Sequence, residues 1–263
     1  MDISGSNVLL TGASGGIGAA LAARLAAQGA RLTVTGRREE VLKATAEAHG
    51  ARTVVADLAD RAEVVRLAEA CADTDVLVAN AALPASGDLL DYSEEQLDRA
   101  LDVNLRAPVL LTRLLTERMV ARGRGHVVLV GSISGKAATP STSLYNATKF
   151  GLRGFALALR QELRGTGVGV SLVQPGFVRD AGMFADTGAA PPNGIRTVTP
   201  GQVADGVVRA VRRDLCEVNV APLELRVLSA IAGQFPAFAE RVQARAGLDG
   251  PVRQIVEAQR SHR

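Results

Sequence analysis

Short apolar runs alternate with helical periodicity along most of this chain, and that alternation constrains the fold more than any other feature. The runs occupy residues 7–10, 31–35, 52–56, 75–79, 125–130, 168–174 and 217–221. Helical patterns fill the gaps at 19–28 and 38–49, then from Asp60, from Ser93 to Arg122, at 145–163 and again from Thr199. Strands separated by helices pair in parallel, and helices then cover both faces of the sheet. Each strand is buried on two sides and reads as a continuous apolar run. The expectation is an α/β fold with one doubly wound parallel sheet of about seven strands. No linker or internal repeat divides residues 1–263, so a single domain is expected.

Local punctuation supports these boundaries. Gly29 closes the first helical pattern. Asp60 with Glu63, Ser93 with Gln96, and Thr199 with Gln202 read as capping pairs, the last with Pro200 at the first helical position. The pattern of 93–122 is expected to bend near Pro108. Residues 178–198 lack periodicity and hold several Gly and Pro, so they read as a mobile loop. Helix returns from Leu223, and 245–263 reads as a polar, basic tail kept out of the core.

Composition narrows the class of partner. Hydrophobic residues make up 47% of the chain and the net charge is only +3, which fits a folded globular protein. The sequence pI near 9.2 comes from scattered arginines. Runs such as 209–213 read as a solvated helix face, so a local phosphate site is favoured over nucleic acid. Cys71 and Cys216 lie in no paired motif and read as buried small hydrophobes. His49, His126 and His262 show no ligand spacing, so no metal site is expected. With no leader-like start and no apolar stretch of about 18 residues, the cytoplasm is the expected location.

Open parallel sheets bind ligands beyond the carboxyl ends of their strands. The first strand runs into Thr11-Gly12-Ala13-Ser14-Gly15-Gly16-Ile17-Gly18 and then a helix. Glycines 12, 16 and 18 let backbone approach a ligand, and the helix start offers free N–H groups to a pyrophosphate. The same stretch satisfies the GxSxG pattern of a hydrolase nucleophile elbow. No His follows near a later strand end, however, so Ser14 reads as a phosphate or turn hydroxyl. On the helix of 145–163, Tyr145 and Lys149 stand one turn apart on one face. A neighbouring ammonium would lower the phenol pKa from about 10 and suit it to proton transfer.

Taken in order, Thr11-Gly12-x-x-x-Gly16-x-Gly18, Asn80, Asn104, Ser132, Tyr145-x-x-x-Lys149 and Pro175-Gly176 resemble the short-chain dehydrogenase/reductase family, in its short, non-extended branch. The resemblance covers about residues 4–221. It implies a Rossmann-like domain and an oxidoreductase moving a hydride between nicotinamide and a carbonyl or secondary alcohol. Tyr145 would exchange a proton with the substrate oxygen, Ser132 would polarise it, and Lys149 would tune Tyr145 and hold a ribose. Asn104 would hold a water in the proton relay. The implied cofactor contacts are Gly12, Ser14, Gly16, Ile17, Gly18, Arg37, Asp57, Leu58, Asn80, Tyr145, Lys149, Pro175 and Gly176.

Charge then argues the cofactor. Where NAD-specific sites place an acid, this chain has Gly36 followed by Arg37, an arrangement similar to NADP-preferring members. NADP(H) is therefore expected over NAD(H). Two departures from the family pattern stand out: Ala82 replaces a glycine after Asn80-Ala81, and Phe177-Val178-Arg179-Asp180 lacks the usual threonine. Met183, Phe184 and the apolar C-terminal helix suggest a lipophilic small-molecule substrate. The resemblance also implies a homodimer or homotetramer through the helices at 93–122 and 145–164. A non-catalytic NADP(H)-binding sensor on the same fold is the alternative. Membrane contact through 223–228 and 235–238 is the less favoured reading of those apolar segments.

Overall fold

The computed structural model describes residues 1–189, 191, 195–246 and 256–259. Strands β1 (Asn7–Thr11), β2 (Arg31–Gly36), β3 (Arg52–Val55), β4 (Val76–Ala79), β5 (Gly125–Val130), β6 (Val168–Pro175) and β7 (Glu217–Val220) form one sheet. Its order is β3-β2-β1-β4-β5-β6-β7, and all pairs are parallel. The expected doubly wound α/β sheet is therefore present.

Alternate side chains of each strand supply two cores. On one face Val8 and Leu10 pack with Leu21 and Leu25 of α1 (Gly16–Ala27), Leu42 of α2 (Glu39–His49) and Val203, Val207 and Val211 of a later helix. On the other, Leu9, Leu77 and Leu129 meet Leu67 of α3 (Arg61–Ala70), and Leu111 and Leu115 further along. Leu9 and Leu77 are fully buried, so truncating either to Ala would cost about 2–5 kcal/mol.

Helix ends follow the capping residues, with one exception. Ser93 and Gln96 form a complete capping box at α4 (Glu94–Leu101). Asp60 caps α3 through the Ala62 and Glu63 N–H groups, but the Glu63 carboxylate turns to accept from Asp57 N at 2.5 Å. Only half of that predicted box forms, because the nearer orphan donor belongs to the turn after β3.

The irregularity expected near Pro108 lies just ahead of it. A π-helical turn, Asp102–Arg106, joins α4 to α5 (Ala107–Ala121). Pro108 has no N–H for the Asn104 carbonyl four residues back, and its ring crowds that carbonyl, so the hydrogen-bond register slips. The catalytic-looking helix is α6 (Ser143–Glu162). The later helix on the first face is α7 (Pro200–Arg213), opened by the expected Thr199–Gln202 box.

Three expectations need correction. The 178–198 stretch is not featureless: Val178 bridges Val198, Arg179 N donates to Val198 O, and Ala185–Thr187 forms a 3₁₀ turn. Residues 190 and 192–194 lie outside the described residues. Cys71 is buried but Cys216 is exposed, since it lies between α7 and β7. Finally, the tail beyond α8 (Leu223–Gln234) and α9 (Pro236–Ala246) does not stay clear of the body. A helical turn at 256–259 returns to it, with Gln259 only 6% exposed, while 247–255 and 260–263 lie outside the described residues.

Candidate active site

Strand order reverses between β1 and β4, which opens a crevice at their carboxyl ends. Thr11 ties the two edges together: its Oγ1 accepts from the N–H groups of Asn80 and Ala81, each at 3.0 Å. Asn80 Nδ2 donates back to the carbonyls of Thr11 and Gly12. Gly12 has φ +68°, and a Cβ there would stand 2.7 Å from Ala81 Cα, so glycine is required by both conformation and space. Ala82 is absent from the positive-φ residues, so its methyl group is tolerated without backbone strain.

The crevice holds a cavity of about 690 Å³, within the range of small-molecule sites. Its walls include Gly12, Ser14, Gly16, Ile17, Gly18, Arg37, Asp57, Leu58 and Asn80, all predicted from sequence. A second cavity of about 110 Å³ is lined by Ser132, Tyr145, Lys149, Pro175 and Gly176. Ile17, Asn80, Ala82 and Met183 line both cavities, so the two adjoin. Two separately predicted groups of residues thus face one continuous cleft.

The geometry suits a dinucleotide. At Gly16 a Cβ would lie 2.2 Å from Ala181 Cβ, and at Gly18 it would lie 2.0 Å from Gly12 O. Backbone packs so closely in this loop that a side chain fits at neither position, as a loop that approaches a pyrophosphate with its backbone requires. The Arg38 guanidinium donates to Ser14 O at 2.5 Å and braces the loop from α2. Asp57 is steadied by the Ala59 N–H and by Arg99, 3.1 Å away on α4. Burial raises its carboxyl pKa, but the Ala59 N–H, Arg99 and Arg37 outweigh it, and the net shift is downward.

At the smaller cavity, Ser132 caps the 3₁₀ turn Ile133–Gly135 by accepting from Ser134 N at 3.1 Å. Its hydroxyl also acts on the Tyr145 phenol, favouring the phenolate. Lys149 is 3% exposed, and its ammonium stands 5.6 Å over the Tyr145 ring centroid. Burial pushes the Lys149 pKa down to about 8. Burial also pushes the Tyr145 phenol up, against the opposing Ser132 hydrogen bond. Burial therefore governs both groups, and a lowering of the phenol by its lysine is not among the causes of the Tyr145 shift.

The Asn104 side chain is committed to the loop after β4. Its Oδ1 accepts from Leu83 N at 2.6 Å and its Nδ2 donates to Leu83 O at 3.0 Å. The side chain is 1% exposed, lines neither cavity, and pins the loop after β4 from behind. Sequence reading missed Thr11, Arg38 and Arg99 as parts of the site, whereas Met183, read as a sign of a lipophilic substrate, lines both cavities. Thr11 stands inside the glycine motif, and Arg38 follows Arg37, so both were visible; Arg99 carries no local signal. The hydrolase reading also fails here, because His126 lies near the amino end of β5, at the opposite edge from Ser14.

Residues 6–191 match the family model described as short chain dehydrogenase. The chain is 36% identical over 227 residues to the ketoacyl reductase HetN of Nostoc sp., across 83% of this chain and 79% of that protein. It is 32% identical over 181 residues to the 3-oxoacyl-[acyl-carrier-protein] reductase FabG of Rickettsia prowazekii, across 68% and 75%. Among solved structures, a short-chain dehydrogenase from Sphingobium yanoikuyae in complex with NADPH matches with a TM-score of 0.76. It is 26% identical, and the match covers 92% of this chain and 95% of that one. A metagenomic short-chain oxidoreductase in complex with NADP matches at 0.71 with 32% identity, covering 84% and 99%.

Proposed function

The chain belongs to the short-chain dehydrogenase family, an oxidoreductase acting on carbonyls and alcohols, and we propose that it prefers NADP(H) and a lipophilic substrate. The observation that carries this reading is the adjoining of the two cavities: Ser132, Tyr145 and Lys149 stand where the glycine-loop cleft ends. Gly12, Ser14, Gly16, Ile17 and Gly18 would cradle the pyrophosphate, and Asp57 and Leu58 the adenine. When bound, the nicotinamide supplies or accepts the hydride.

The residues themselves supply position and a proton. Ser132 donates to the substrate oxygen and polarises the carbonyl. Tyr145, kept protonated by its burial, passes its proton to that oxygen as charge develops there. Lys149 reaches a ribose hydroxyl and, as an ammonium, favours the phenolate that Tyr145 becomes. The Asn104 amide is spent on Leu83, so any water in the relay would be held by another group of that residue, its backbone carbonyl.

Arg37 supports the choice of cofactor: it lines the cleft beside Gly36, with no carboxylate at that position to repel a 2′-phosphate. Ile17, Val178, Met183 and Phe184 give the smaller cavity an apolar wall, and Lys149 is the charged residue among those lining it. Phe150 on α6 is 42% exposed and Leu101 on α4 is 37% exposed, which supports subunit pairing through these helices. Among the described residues no helix is long and apolar enough to cross a membrane, and we place the protein in the cytoplasm. An NADPH-consumption screen over ketones, aldehydes, quinones and acyl thioesters tests the reading. Turnover of an apolar member supports it, whereas NADPH binding with no turnover across the panel would favour the sensor alternative.

A further inference from the structure

The turn at 256–259 brings Ala258 and Gln259 into the wall of the larger cavity, which the glycine loop also lines. No motif in the sequence points to this segment. Gln259 is 6% exposed, and its Nε2 donates to the Met183 carbonyl at 3.4 Å. That bond fixes the orientation of the amide: the NH₂ must face the carbonyl, so Oε1 faces the other way. Gln259 Oε1 is buried and has no hydrogen-bond partner. A buried acceptor without a donor is the exception in folded proteins, and at the wall of a cleft it marks a place for a ligand donor.

Met183 locates that donor. It lines both the glycine-loop cavity and the Ser132–Tyr145–Lys149 cavity, and Gln259 is held on its backbone. Arg37 and Asp57, in contrast, mark the distal adenine end of the cleft.

We propose that Gln259 is a cofactor-binding residue, its carboxamide oxygen accepting a hydrogen bond from the nicotinamide half of the dinucleotide. Two groups there carry the required donor chemistry: a ribose hydroxyl and the carboxamide N–H. The proposal rests on the dinucleotide reading of the cleft and gives the C-terminal segment a task in that site.

Calorimetric titration of the full-length protein tests it, with NADPH, adenosine 2′,5′-bisphosphate and the reduced acetylpyridine analogue of NADP as ligands. Gln259→Met keeps the bulk of the side chain and removes the acceptor together with the long Nε2 bond to Met183 O; Gln259→Ala removes the bulk as well. Both variants should weaken NADPH about 3- to 10-fold, the value of one hydrogen bond. Binding of the bisphosphate, which lacks the nicotinamide half, and the ligand-free Tm should not move. The acetylpyridine analogue has no carboxamide N–H. Its affinity falls with the variants if the donor is a ribose hydroxyl, and stays constant if the donor is the carboxamide. Unchanged NADPH affinity in both variants overturns the proposal. So does an equal loss for NADPH and the bisphosphate with a lowered Tm, which would make Gln259 a packing residue only. A wild-type protein that binds neither ligand overturns the dinucleotide reading itself, and this proposal with it.

Discussion

Lys149 Nζ lies 5.6 Å from the centre of the Tyr145 ring and donates to the Val130 carbonyl at 3.3 Å. One buried amine thus touches both the proton-transfer residue and the end of β5. Its pKa of about 8 means that the ammonium is present below that pH and lost above it. Tyr145, shifted upward, stays protonated across the same range. For carbonyl reduction kcat/KM should therefore fall as pH rises through about 8, with the lysine and not the tyrosine losing its proton. Lys149→Arg, always charged, should move that fall to higher pH in whatever activity it retains. Tyr145→Phe should lose at least about 1000-fold in turnover and keep NADPH affinity within about twofold. A wild-type profile that stays flat through pH 8 would remove the lysine from this role.

Arg37 and Arg38 stand side by side at the end of β2 but do different work. Arg38 holds the glycine loop through Ser14 O, whereas Arg37 acts by its charge at the adenine end, where it helps lower the Asp57 pKa. Arg37→Ala should weaken NADPH about tenfold, equivalent to about 1.4 kcal/mol, and leave NADH nearly unchanged. Arg38→Ala should weaken both cofactors alike, because it loosens the loop that cradles their shared pyrophosphate. Titrations with the two cofactors check this. A wild-type kcat/KM for NADH equal to or above that for NADPH would end the proposed preference.

Much of this site was legible in the sequence because its chemistry depends on backbone and on fixed spacings. Gly12, Gly16 and Gly18 announce close approach, and Tyr145 and Lys149 must share a helix face when four residues apart. The alternation of strands and helices placed Ser132 and Pro175 at the same sheet edge. What escaped was set by tertiary burial. The Tyr145 shift depends on desolvation, which no local pattern encodes. Asn104 found Leu83, a partner on another element, and Gln259 returns to the cleft from a polar segment with no periodic signal. Cys216 is exposed because it lies in the short connection between α7 and β7.

His126 is a buried group that catalysis does not use, and it should set the acid limit of stability. It is 1% exposed, with Nε2 2.8 Å from Ser171 Oγ and Nδ1 4.0 Å from Asp214 Oδ1. Ser171 spends its proton on Leu215 O, so Nε2 carries the imidazole proton. Burial lowers the pKa from 6.5 to about 4, against the pull of Asp214. The unfolded chain therefore binds more protons between those values, and stability is lost as pH falls from 6.5 toward 4. The linkage amounts to about 3 kcal/mol at most. The Tm of the wild type should drop across that window, and His126→Gln should flatten the slope even if its neutral-pH Tm is lower. An unchanged slope in the variant would assign the acid sensitivity elsewhere.

Two glycine-to-alanine substitutions should act in opposite directions for reasons visible in the packing. At Gly18 the new methyl would meet Gly12 O at 2.0 Å and Ala13 Cα at 2.8 Å, both backbone atoms that no side-chain rotation relieves. The loop must open, at a cost of about 1–3 kcal/mol and a Tm loss of about 2–10 °C. Cofactor affinity should fall with it, since the same loop lines the cleft. At Gly154, inside α6, a Cβ meets nothing within 4 Å. Alanine there restricts the unfolded chain and improves helix propensity, so Gly154→Ala should stabilise by about 0.4–1 kcal/mol and leave NADPH binding unchanged. Paired melting curves and NADPH titrations read both effects. Equal Tm shifts in the two variants would show that the close contact at Gly18 does not limit the loop.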